Sequence, residues 1–165
     1  CARNEWVSFQ VFFRGDQAVP GLAVSLGALV GPDKKEISAE HVRIYREHQL
    51  ELKVGTYRND RFQPDWYPDP LIPVTHPMTN QPLSGGRLVA QPFDLPANET
   101  HGFWIDIYVP GGIQAGMYRG QLAVQTATGQ AAAKVRTTAI CSKTRKVSVM
   151  ARSSKSAKLS AQSPP

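Results

Sequence analysis

Asp65 and Asp69 lie four residues apart in the run P-D-W-Y-P-D-P, and they are the first groups in this chain that could do chemistry. Paired carboxylates can act as general acid and base, or bind a cation. Pro68 and Pro70 forbid a helix here, so the spacing does not place both acids on one face; the plainer reading is that each ends a turn beside proline. The imidazoles are His41, His48, His76 and His101. None forms an H-x-x-x-H pair, and neither cysteine (Cys1, Cys141) stands near one, so no metal-ligand pattern is present. The sequence has no G-x-S-x-G, no G-x-x-x-x-G-K-[ST] and no G-x-G-x-x-G, and so signals neither an elbow nucleophile nor a phosphate cradle. These observations assign no catalytic residue, no metal and no cofactor.

A cluster of rings remains. Tyr57, Phe62, Trp66 and Tyr67 fall within one proline-rich segment. Exposed aromatics can stack on sugar rings, as in carbohydrate-binding sandwiches, or can pack a loop onto the sandwich or a neighbouring domain. Trp66, Tyr67, Asp69 and Tyr57 are therefore the candidate glycan or domain-contact residues. The triplet Asn98-Glu99-Thr100 fits N-glycosylation, a pattern that matters only in a glycosylating secretory route.

The elements that must position these residues are strands. Glu5–Phe13 puts Val7, Phe9, Val11 and Phe13 on one face, all apolar, which predicts a buried strand face. Leu22–Leu29 alternates apolar with small residues and predicts a second strand. His41–Val54 carries Val42, Ile44, Leu50, Leu52 and Val54 at even positions; period 2 predicts one long strand, with a bend or bulge at Arg46-Glu47-His48. Residues 56–86 hold Pro64, Pro68, Pro70, Pro73, Pro77 and Pro82, which exclude a central strand or regular helix and predict a long loop. Strands resume at Arg87–Leu95 and Gly102–Val109; in the latter, Phe103, Ile105, Ile107 and Val109 share a face. Gly116–Gln125 and Ala131–Ile140 predict a hairpin around Thr128-Gly129. The sum is an all-β fold: an antiparallel β-sandwich of about seven or eight strands over residues 1–140, with a long Pro/aromatic-rich loop.

Composition agrees. The chain has 165 residues, 41% hydrophobic and 19% charged, which suits one globular domain. At this length folding hides roughly two-thirds of the chain's surface, enough for a core without disulfides or metal. Thirteen Pro and thirteen Gly argue against a helical bundle. No apolar run approaches the roughly 20 residues of a membrane helix, so no transmembrane segment is expected. The net charge of +6 is confined to the end of the chain. Residues 2–140 hold 13 basic and 13 acidic residues, whereas Lys143, Arg145, Lys146, Arg152, Lys155 and Lys158 face no acid in residues 141–165. That stretch reads as a disordered basic tail, although Lys146-Val147-Ser148-Val149 alternates and could add a short edge strand. It has no interleaved aromatics and no nucleic-acid module, so nucleic acid is not an expected partner.

Several segments resemble the N-terminal domain of family 123 glycoside hydrolases and their uncharacterised relatives: Ala2–Gln10 its opening strand, Pro68–Pro73 its aspartate-proline loop, Trp104–Pro110 and Ala115–Gly120 its later strands and turn. The resemblance runs in order over about residues 2–139. It implies a β-sandwich placed ahead of a (β/α)-barrel that removes terminal N-acetylgalactosamine through an adjacent Asp-Glu pair, with a secreted or periplasmic location. No Asp-Glu or Glu-Asp dipeptide occurs here, so no catalytic residue carries over. The departure after about Ala139 suggests a fragment, a truncated product or a shifted reading frame. Cys1 would suit the lipidated first residue of a bacterial lipoprotein, but such a residue precedes a flexible linker, whereas Trp6 already belongs to a strand.

The expectation is a non-catalytic accessory domain whose partner is a glycoside-hydrolase barrel that would act on N-acetylhexosamine-type glycans, with a glycan as a further candidate partner. The alternative is an independent carbohydrate-binding module that uses Trp66 and Tyr67.

Overall fold

The computed structural model describes residues 3–55, 57–83, 85–139 and 147–152, with only the course of the backbone for 131–139 and 147–152. Among them are eleven strands: β1 (Glu5–Arg14), β2 (Val19–Leu26), β3 (Leu29–Val30), β4 (Glu36–Ile37), β5 (Val42–Leu52), β6 (Asp65–Pro73), β7 (Phe93–Leu95), β8 (Thr100–Val109), β9 (Gly116–Thr126), β10 (Gly129–Ala139) and β11 (Val147–Arg152). A front sheet of four strands runs β1-β8-β5-β6, and a back sheet of seven follows the path β11-β10-β9-β2-β7, with β3 paired to β9 and β4 to β3. Every strand pairing is antiparallel. The all-β sandwich expected from the sequence is the observed architecture. The strand count is higher because β3 and β4 are two residues long, below what periodicity can resolve, and because β6 and β11 also form.

The core lies between the sheets. The front sheet contributes Val7, Phe9, Val11 and Phe13 from β1, and Phe103, Ile105, Ile107 and Val109 from β8. The back sheet answers with Leu22, Val24 and Leu26 from β2, and Tyr118, Leu122 and Val124 from β9. Each large apolar side chain fully buried in this way contributes about 1.5–3 kcal/mol. Tyr118 is wholly buried; its ring lies where a side chain at Gly31 would have to be, and its hydroxyl donates to the Gln114 carbonyl (2.8 Å). The predicted hairpin joins β9 and β10, with Thr126 opposite Gly129.

Residues 56–86 are not loop throughout. Asp65–Pro73 forms β6, which pairs with β5 alone. Pro68, Pro70 and Pro73 are tolerated because an edge strand needs no outward ladder donors. The register of β5 on β6 shifts between Glu47 and Gln49. The bulge falls where the sequence placed it, but the extra residue belongs to β6, where Asp69 and Pro70 stand opposite His48 alone. Beyond that point β5 pairs only with β6, and Leu50 and Leu52 are exposed rather than buried. The strand expected over Arg87–Leu95 shrinks to β7, since Pro92 lacks a donor and Leu88 and Val89 are exposed.

The basic tail was expected to stay outside the fold; Val147–Arg152 instead pairs with β10 as β11, extending the back sheet where Val147 and Val149 alternate with Ser148. Residues 140–146 and 153–165, with Cys1 and Cys141, lie outside the described residues. Among the described residues no helix is long and apolar enough to cross a membrane.

Candidate functional site

Strand alternation sends the odd residues of β1 and β8 into the core and the even ones outward. Registers then align the outward residues of the front sheet into rows. Trp6 stands opposite Tyr108, and Ser8 opposite Asp106, which pairs in turn with Arg43. Gln10, Trp104, Tyr45 and Pro73 form the next row, and Phe12, Gly102, Glu47 and Leu71 the one after it. The face is therefore a layer of rings threaded by polar side chains. Trp6 leans on Tyr108 (centroids 5.3 Å apart), and His41 meets the same tyrosine edge-on (5.6 Å).

The polar groups of this layer are bonded to one another. Asp106 Oδ1 accepts from Ser8 Oγ (2.5 Å) and from Trp104 Nε1 (2.7 Å). Gln10 Nε2 donates to Glu47 Oε1 (2.6 Å), and Tyr108 OH to Asn4 Oδ1 (3.2 Å). The Arg43 guanidinium donates to the carbonyls of Glu40 (2.7 Å) and Pro77 (2.9 Å). Tyr45 is half-buried, and its hydroxyl pKa is raised by burial and then by the Asp106 charge, partly offset by Arg43. Glu47 is only 2% exposed although its strand position points outward. It is buried because Gly102 has no side chain: a Cβ there would collide with Glu47 Oε2, so the carboxylate occupies the space a larger residue would fill. Its Oε2 has no hydrogen-bond partner.

On the inward side, at the end where β5 leaves β8, the apolar core gives way to basic groups. Arg46 places its guanidinium 5.0 Å from the Phe93 ring centre and donates to the Val89 carbonyl (3.0 Å). Burial lowers its pKa and also that of His48, where Arg46 and His101 add to the effect. His101 contacts the Glu99 carboxylate (Nε2–Oε2 3.0 Å). Among the described residues no group of three His, Cys, Asp or Glu side chains is arranged to hold a metal ion.

The four residues singled out from sequence do not converge. Trp66 is 59% exposed and stands opposite Glu51, on the same outward face as Glu47. Tyr67 alternates to the other side, where it stacks on Phe62 (6.1 Å) and donates to the Gln63 carbonyl (2.7 Å). Asp69 is exposed in the bulge opposite His48. Tyr57 is 86% exposed between β5 and β6, with the Arg58 guanidinium 5.0 Å from its ring centre. Sequence reasoning missed the outer layer formed by Trp6, Trp104, Tyr108 and Tyr45. The signal was present in the non-core parity of β1 and β8, where rings recur in place of the polar residues that a solvated face requires.

The family model of the glycoside hydrolase 123 N-terminal domain matches residues 2–126. Among solved structures the chain is similar to a family 123 glycoside hydrolase from Clostridium perfringens, studied for glycolipid glycan hydrolysis, with a TM-score of 0.59 and 13% identity. That similarity, which is one of fold, covers 85% of this chain and 22% of the other, so the chain spans about a fifth of that enzyme's length. No curated protein matches.

Proposed function

The chain belongs to the family of glycoside hydrolase 123 N-terminal domains, and from that premise we propose that it is a non-catalytic accessory domain supporting the barrel of a glycoside-hydrolase-like protein that acts on N-acetylhexosamine-type glycans. The family match over residues 2–126 carries this reading, because the matched unit is the part that precedes the rest of the enzyme. Chemistry points the same way. Asp65 accepts the Trp66 backbone N–H (2.7 Å), a local backbone role in an edge strand, and Asp69 lies exposed in the bulge. Trp66 remains a contact residue for the partner domain or its glycan, held out on the front face at the edge strand. The test is a hydrolysis assay of the purified chain with an aryl N-acetylgalactosaminide. No turnover is expected; turnover that disappears in Asp65→Asn or Asp69→Asn would overturn the non-catalytic reading.

A further inference from the structure

We propose that the outer face of the front sheet is the surface on which the remainder of a family 123 glycoside hydrolase docks, an inference that rests on the accessory-domain reading. All three tryptophans of the chain, Trp6, Trp66 and Trp104, occupy outward positions of this one sheet. Exposed apolar patches of this kind mark interaction surfaces, and aromatic residues are the enriched component of protein interfaces. The back sheet's outer face offers Arg119, Gln121, Gln125 and Ser25 with the exposed aliphatic side chains of Met117 and Val30 among them, and among the described residues it carries no aromatic ring.

The hydrogen bonding favours a protein over a sugar. A glycan is oriented by a few placed polar groups that its hydroxyls can engage. Here Asp106 Oδ1, Gln10 Nε2, Glu47 Oε1 and Tyr108 are already bonded within the layer, Arg43 is held by the Glu40 and Pro77 carbonyls, and Glu47 Oε2 is buried, which leaves few polar groups beside the Tyr45 hydroxyl to orient a sugar. A packed polypeptide fits such a surface. The chain covers only 22% of the Clostridium perfringens enzyme, so most of such an enzyme, the part that follows an N-terminal domain, has no counterpart in it.

The three tryptophans make the face directly observable. The full chain, labelled with 5-fluorotryptophan, is titrated by fluorine NMR with the Clostridium perfringens enzyme trimmed of its matching N-terminal part. The Trp6 and Trp104 signals should move saturably. Trp6→Glu, at a side chain 47% exposed, should fold normally and weaken binding about tenfold or more, whereas Gln121→Glu on the back sheet should leave it unchanged. Binding with unmoved fluorine signals would overturn the face and spare the accessory reading; no binding would overturn both. Signals that move on dilution of the chain alone would assign the face to a second copy. Signals that move with N-acetylgalactosamine alone would assign it to sugar. Either of those results also overturns the proposal.

Discussion

Strands β8 and β9 sit in facing sheets and supply equivalent inner rows, Phe103, Ile105 and Ile107 against Tyr118, Leu122 and Val124. Their outer rows differ in kind. β8 presents Trp104, Asp106 and Tyr108; β9 presents Met117, Arg119, Gln121 and Ala123, with no ring among them. The back sheet follows the ordinary logic of an antiparallel sheet with one face on the core and one in water. The front sheet carries a second, thinner layer of rings with its own hydrogen bonds and a buried carboxylate. Core formation alone would not select that layer, because the same core exists behind both faces. What selects it acts from outside the sandwich, which is why the two outer faces should respond differently to substitution.

The largest expected effect is the one both sheets share. Ile105→Ala, at a fully buried inner position of β8, should cost about 2–5 kcal/mol by urea denaturation. A cost under about 0.5 kcal/mol would place Ile105 outside the core and exchange the roles of the two faces of β8. Gly102→Val comes next. At an ordinary outward position a valine would be neutral or favourable in a strand, yet here it must evict Glu47 from the space above Gly102 and strip Oε1 of Gln10. Overpacking of that sort costs about 1–3 kcal/mol. If Gly102→Val is as well tolerated as Ala123→Val on the back sheet, the front layer is not packed and the contrast between the faces fails.

The inner pattern was readable from sequence because it repeats with a single period: every odd residue from Val7 to Phe13 and from Phe103 to Val109 is apolar, and all are buried. The outer layer was readable only as rings recurring on the non-core parity of β1 and β8, because which of them meet depends on which strands become neighbours. Trp6, Tyr108, Trp104 and Tyr45 are scattered along the chain and meet only once β1, β8 and β5 are paired. Trp66, Tyr67 and Tyr57, by contrast, are close in sequence but are sent to different places by strand alternation and by the connection between β5 and β6. β6 was hidden by its prolines, whose tolerance depends on edge position, a property of the assembled sheet.

A smaller effect separates the middle of the front sheet from its end. His48 has a pKa held below the usual imidazole value by burial and by the neighbouring Arg46 and His101, with Glu99 facing His101. The unfolded chain therefore binds a proton at His48 that the folded chain resists. The sign follows from linkage: this contribution to stability is complete above the unfolded imidazole value of about 6.5 and is lost as pH falls below it. Wild type should lose more stability than His48→Gln between neutral pH and about pH 5, with other titrations common to both cancelling in the difference. Parallel pH profiles for the two proteins would mean that His48 is already solvated at that end.

The smallest effect is the sharpest test of what the ring layer is for. Trp66 stands at the proline-bearing edge of the front sheet, and Gln121 stands on the back sheet; both side chains are exposed. Alanine at either position should change stability by no more than about 0.5 kcal/mol, because exposed positions away from caps and networks contribute little. In a domain of this size that is a shift in melting temperature of about 2 °C or less. Equal stability does not imply equal function. Were Trp66 part of the sandwich itself, its removal would cost more than about 1.5 kcal/mol, in keeping with a large aromatic that packs on its neighbours. Were it a contact held out for a partner, the alanine variant would melt with wild type and differ only when the rest of the enzyme is added. Thermal melts of Trp66→Ala and Gln121→Ala, each run alone and with the trimmed Clostridium perfringens enzyme, separate the two cases: a stabilisation by partner that Gln121→Ala retains and Trp66→Ala loses assigns the ring to the interface, because a partner that binds only the folded chain raises its apparent stability in proportion to its affinity.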